Sequence, residues 1–139
     1  MKLYPLPASA ALLALLSATL PAQALDLSHL PDVSMLPKGV VQISPVVPGM
    51  GEHWADPANL PLGPIYCVYQ GKIVCLEFMI AQADFAAGKS WPDLPGLEGL
   101  PPVNHVNMGF EPHGHEGYEI PHYDMHIYYL PPADMAEVK

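Results

Sequence analysis

Polar and apolar positions alternate most strictly near the end of the chain, where Tyr118 to Leu130 reads YEIPHYDMHIYYL. A period of two in a run rich in Tyr and Ile predicts a β-strand. Val103 to Phe110 predicts another. Ile65 to Leu76 places β-branched and aromatic residues on both sides of Gln70-Gly71, the pattern of a hairpin. From Glu77 to Ala87 the character changes: Phe78, Met79, Ala81, Gln82, Ala83, Phe85 and Ala86 favour a short helix that Gly88 ends. Between Leu25 and Pro48 the apolar Val40, Val41, Ile43, Val46 and Val47 are punctuated by Pro37, Pro45 and Pro48. Proline cannot donate to a ladder, so this segment is expected as an extended arm or an edge strand. Gly49 to Pro64 and residues 89–102 read as loops by their glycine and proline content. The pattern as a whole predicts a mainly β, small single-domain antiparallel sheet, sandwich or barrel with one short helix and long proline-rich loops, with α+β as the alternative.

The N-terminus interrupts this patterning. Lys2, an apolar run from Ala8 to Leu20 and the small-x-small triplet Ala22-Gln23-Ala24 form a secretory signal, which places a signal peptide at 1–24 and a single β-rich domain at 25–139. The run falls short of the roughly 20 apolar residues of a membrane span, and no cysteine for lipid attachment follows the signal. The expected product is therefore periplasmic or secreted and soluble, without a membrane anchor after cleavage. The chain carries a formal charge of −9, and all five of its basic residues are lysines. Nucleic-acid binding is disfavoured, and the arginine fork that usually grips phosphate is missing. Cations are drawn to such a surface.

Export puts Cys67 and Cys75 in an oxidising environment, where thiols tend to pair. Geometry leaves two outcomes open. A two-residue Gln70-Gly71 loop pairs Tyr69 with Lys72 and turns the cysteines to opposite faces; a register that sets residue 67 opposite residue 75 allows a disulfide.

In a strand, His122, Asp124 and His126 share one face and Tyr123, Met125 and Ile127 the other, so one face is polar and metal-like and the other apolar and core-like. Residues two apart lie about 6.6 Å apart and can share an ion, whereas His122 and His126 lie about 13 Å apart and cannot unless the strand bends. A metal therefore takes one histidine with Asp124, or uses Asp124 to orient a ligating imidazole, and draws other ligands from a distance. The candidates are His53 in PGMGEHW, Glu77 in CLEFM, His105, His113 and His115; six of the seven histidines lie in or near these motifs. Imidazole and carboxylate donors suit Zn, Fe, Mn, Ni or Cu(II) as a divalent transition metal, and Met50, Met108 and Met125 keep a copper reading open. The competing readings are structural. HxDxH can be a hydrogen-bonded network, His53 can pack on Trp54, Glu77 can sit at a helix N-terminus, and methionines are usually core filler. Ser28, Ser34, Ser44 and Ser90 lie in no nucleophile elbow, and no phosphate loop is present.

At these motifs the chain resembles a family of small exported bacterial proteins of uncharacterised function, marked by PGMGxHW, here Pro48 to Trp54, an LExM segment, here Leu76 to Met79, and a closing block that ends PHxDxHxY, here Gly109 to Tyr128. The resemblance implies that His53, Glu77, His115, His122, Asp124 and His126 belong to one polar pattern. Phe78 departs from an expected proline, and Met125 and Ile127 from aromatics. Three functions follow as expectations: metal binding for sequestration, delivery or stress protection; a metal-dependent hydrolase or oxidoreductase; or an oligomeric structural or partner-binding module with a metal-free His-Asp network. Aromatic strand faces in so short a chain also predict a homo-oligomer. No motif names a reaction.

Overall fold

The computed structural model describes residues 25–139; the expected signal peptide lies outside the described residues. In chain order the strands are β1 (Val41–Gln42), β2 (Glu52–Ala55), β3 (Ile65–Tyr69), β4 (Lys72–Ala81), β5 (His105–Glu111) and β6 (His122–Tyr128), with short helices α1 (Gln82–Ala86) and α2 (Pro132–Met135). All pairings are antiparallel, and they join the strands into one six-stranded sheet in the order β1-β2-β3-β4-β6-β5. The chain is mainly β. Among the described residues no helix is long and apolar enough to cross a membrane.

Strand β4 runs through the middle of the sheet and is buried from Ile73 to Ile80. A strand covered on both faces has no reason to alternate apolar with polar residues. This is why its second half reads like a helix. The helix expected over Glu77 to Ala87 is confined to Gln82–Ala86, because Cys75 to Ala81 pairs residue by residue with Tyr128 to His122 of β6. Helix propensity of a few tenths of a kcal/mol per residue does not compete with that ladder and its burial. The C-terminal turn Pro132–Met135 adds a second helix, begun by a proline at its first helical position.

The glycine-rich segment expected as a loop contains β2. Gly51 leads into it with φ +105°, and a Cβ there would stand 2.5 Å from the Val68 carbonyl oxygen of β3. The motif PGMG therefore brings β2 onto β3 by close backbone approach. Val41–Gln42, in the proline-punctuated arm, takes the edge position its prolines allow.

At the hairpin, Gln70 (φ 49°) and Gly71 (φ 74°) both adopt the left-handed conformation of a two-residue turn, and Tyr69 pairs with Lys72. The register then shifts: Val68 pairs with Ile73, but Cys67 pairs with Cys75, leaving Val74 as the extra residue of a bulge. The bulge reconciles the short turn with the disulfide Cys67–Cys75, whose Cα atoms lie 4.8 Å apart. Leu27 and Leu30 from the N-terminal arm and Leu130, Met135 and Val138 from the tail join these residues in the main core.

Strand β6 alternates as expected, but in the opposite sense. His122, Asp124, His126 and Tyr128 are buried, while Tyr123, Met125 and Ile127 are half-buried. The polar face is the inner one. The pairing continues that face across the sheet, since Glu77 stands opposite His126, Met79 opposite Asp124 and Glu111 opposite His122.

Gly51→Ala is expected to cost on the order of 3 kcal/mol, through the left-handed φ and the clash with Val68. Gly71→Asn, at an open turn position that tolerates positive φ, should cost under about 1 kcal/mol. Urea denaturation midpoints of the two variants check the contrast.

Candidate metal centre

On the inner face, two sets of three side chains bring imidazole nitrogens and carboxylate oxygens within 4.8 Å of one another. The first is His53, Glu77 and His126. Glu77 lies between the imidazoles, with Oε2 3.3 Å from His53 Nε2 and Oε1 3.6 Å from His126 Nε2. Strand pairing places Glu77 directly opposite His126, and His53 reaches toward it from β2, where it pairs with the small Cys67. Ala55, Ile65 and Met79, packed against Leu60 and Tyr118, form a small apolar cluster beside the polar groups.

The second set is His115, His122 and Asp124. His122 Nε2 lies 3.0 Å from Asp124 Oδ1 and 3.2 Å from His115 Nε2, which is 3.8 Å from Asp124 Oδ2. His115 comes from the turn after β5, held by a bridge to Tyr118. Its ring meets His122 edge-on with centroids 4.8 Å apart.

The far nitrogens of three imidazoles are held by oxygen. His122 Nδ1 donates to the Ile120 carbonyl at 2.6 Å, and His115 Nδ1 to the Glu116 carbonyl at 3.1 Å. Ser44 Oγ gives its proton to the Pro45 carbonyl and accepts from the His53 backbone N–H, so it accepts from His53 Nδ1 as well, at 2.9 Å. In its neutral form each of these rings presents an Nε2 lone pair to the set it belongs to, the orientation that metal-ligating histidines take from their outer partners. His53 Nε2, His126 Nε2 and Asp124 Oδ1 are buried without a hydrogen-bond partner. Orphaned buried groups of this kind cost about 1–3 kcal/mol each.

Burial shapes the charges. It pushes the Glu77 carboxyl up to about 8, with the Asp124 charge adding to the effect. It pulls His126 down to about 4, helped by His53 and His115, and lowers His53 as well, helped by His115. Asp124 is raised by burial, a rise that His122 and His115 oppose and Glu111 reinforces. Without an ion, the first set holds a protonated Glu77 between two neutral imidazoles at neutral pH.

All six residues expected in the site, His53, Glu77, His115, His122, Asp124 and His126, lie in these two sets. They do not meet at one point, because the rise of β6 keeps His122 and His126 apart. Glu77 is a mid-strand residue of β4, so its helix-terminus reading is withdrawn. His105 stacks on Tyr128 at 4.7 Å and His113 is exposed; neither belongs to a set. Met125 alternates with the polar residues of β6 and pairs with Met108, so these thioethers face away from the site. Glu111 escaped sequence reasoning. Only the β5–β6 register puts it opposite His122.

No protein-family model and no curated protein matches the chain. Its fold is similar to that of a hypothetical protein from Thermus thermophilus known from a crystal structure, with a TM-score of 0.61 and 25% identity over 74% of this chain and 95% of that one.

The pH dependence of the metal-free protein follows from Glu77 and His126. A carboxyl raised from 4.5 to about 8 keeps its proton in the folded state and loses it in the unfolded one, so stability falls as pH rises between those values. His126, lowered from 6.5 to about 4, acts in the opposite sense, but only below pH 6.5. Chelator-treated protein should thus lose on the order of 1–2 kcal/mol between pH 6.5 and 8. Glu77→Gln should flatten that decline in thermal melts.

Proposed function

We propose that the chain is an exported protein that binds a divalent transition-metal ion through the enclosed set His53, Glu77 and His126. The observation that carries this reading is the convergence of two imidazole Nε2 atoms on the two oxygens of one buried carboxylate, with both nitrogens unpartnered. A cation entering there gives both orphaned nitrogens a partner and displaces the proton from Glu77. Two nitrogens and a carboxylate suit Zn(II), Fe(II), Mn(II), Ni(II) or Cu(II). The disulfide removes both thiols from the donor set.

Side chains exposed by only 14% (His53), 6% (Glu77) and 6% (His126) leave little access for a substrate, which supports sequestration, delivery or a stress role over catalysis. A metal-dependent hydrolase or oxidoreductase is the second reading, supported by the three-ligand count, which matches catalytic sites that keep one position for water. The disulfide also supports an oxidising destination, periplasmic or secreted. The exposed Val106, Met108 and Phe110 along edge strand β5 support self-association.

Chelator-stripped protein titrated with zinc at pH 8 should gain about 2.7 kcal/mol at a hundredfold excess over Kd, a rise in Tm on the order of 10 °C. His126→Ala and Glu77→Gln should abolish most of that gain. Absence of both uptake and thermal shift in the wild type would mean that shared protons alone hold the histidines, and the metal reading would fall. Ser44→Ala, which frees His53 Nδ1, should weaken zinc binding about 10–100-fold while leaving the fold intact.

A further inference from the structure

The set His115, His122 and Asp124 differs from the first in access. His122 is fully buried, whereas the His115 side chain is 44% exposed and rides on a turn. With both Nδ1 atoms donating to backbone carbonyls, the two Nε2 lone pairs face each other at 3.2 Å beside the unpartnered Asp124 Oδ1. With both rings neutral, three acceptors meet here, and the arrangement is repulsive until a proton or a metal ion enters it.

One ion cannot serve both sets. Bonds of about 2.0–2.2 Å require the donors on one ion to lie within roughly 4.4 Å of one another, whereas His122 and His126 have α-carbons about 13 Å apart on one strand face and side chains that stand roughly parallel, which keeps their nitrogens apart. Each set holds its own donors within 4.8 Å and has its own carboxylate, Glu77 or Asp124. Glu111, opposite His122 on β5, adds negative charge beside the second set alone.

We propose that His115, His122 and Asp124 form a second, separate site for a divalent transition-metal ion, with a coordination position open to solvent, so that each chain carries an enclosed ion and an exchangeable one. The inference rests on the metal reading of the first set and extends it. The second ion binds more weakly, because it enters the field of a cation already in place and one of its ligands is on a surface turn. Gly114 sets that turn. It has φ +67°, and a Cβ there would collide with the Tyr118 carbonyl, so only glycine lets the chain fold back to present His115.

The test is a cobalt(II) titration of full-length mature protein by calorimetry and visible absorption, with wild type beside His115→Ala and Glu77→Gln. His115 is exposed enough for its truncation to spare the fold, and circular dichroism checks this. The wild type should take up two equivalents in two steps. His115→Ala should lose the weaker step and keep the tighter one, and Glu77→Gln should do the reverse. Gly114→Ala should weaken the second step at least tenfold without touching the first. Two equivalents retained in His115→Ala would overturn the proposal. So would a single wild-type equivalent that either variant abolishes, since the six residues would then share one ion and metal binding itself would stand. No uptake by the wild type would overturn both this inference and the reading it extends.

Discussion

Glu77 is the constraint around which the sheet is arranged. A carboxylate in the middle of a strand buried on both faces cannot keep its charge without a partner, and the groups beside it are the two imidazoles of His53 and His126. Either a proton or a cation must sit in this group. Burying an ion costs several kcal/mol even after relaxation, and an apolar residue at position 77 would avoid that cost. The fold therefore carries an expense that packing alone does not explain. A second buried carboxylate lies on the same face at Asp124, so the expense is incurred twice.

The register of β4 against its two neighbours makes the arrangement possible. On one side, the bulge at Val74 sets Cys67 against Cys75 and, two pairs further on, Ile65 against Glu77. On the other, the uninterrupted pairing with β6 sets Glu77 against His126. A slip of one residue would send Glu77 to the other face, so the disulfide clamps the alignment that the site requires.

The sequence made β6 legible because one of its faces is only half-buried, and a period of two survives wherever the two faces differ in environment. The turn at Gln70-Gly71 was legible for a local reason, the positive φ it demands. Strand β4 was not, since two covered faces erase the alternation and leave Phe78 to Ala81 looking helical. Nor was β2, four residues long and set between glycine and proline signals. The six site residues could be named from their chemistry together with the family resemblance, but their division into two sets depends on cross-strand pairing and on how the His115 turn folds back. Glu111 stayed hidden for the same reason: nothing about a lone glutamate at a strand end declares which residue of the next strand it faces.

The inversion of β6 bears most directly on function. An ordinary half-buried strand turns its apolar residues inward and leaves histidine and aspartate to water. Here the tyrosine, methionine and isoleucine are the more exposed, and the imidazoles and the carboxylate lie inside. Hydrogen bonds of these side chains with one another do not account for this preference, because His126 Nε2 and Asp124 Oδ1 have no partner and His115 and His122 give their Nδ1–H to backbone carbonyls. A face that gathers imidazole nitrogens and carboxyl oxygens in this way is complementary to positive charge. The two sets differ in how far they admit solvent, and under the metal reading that difference in access would separate a site that retains its ion from one that trades it.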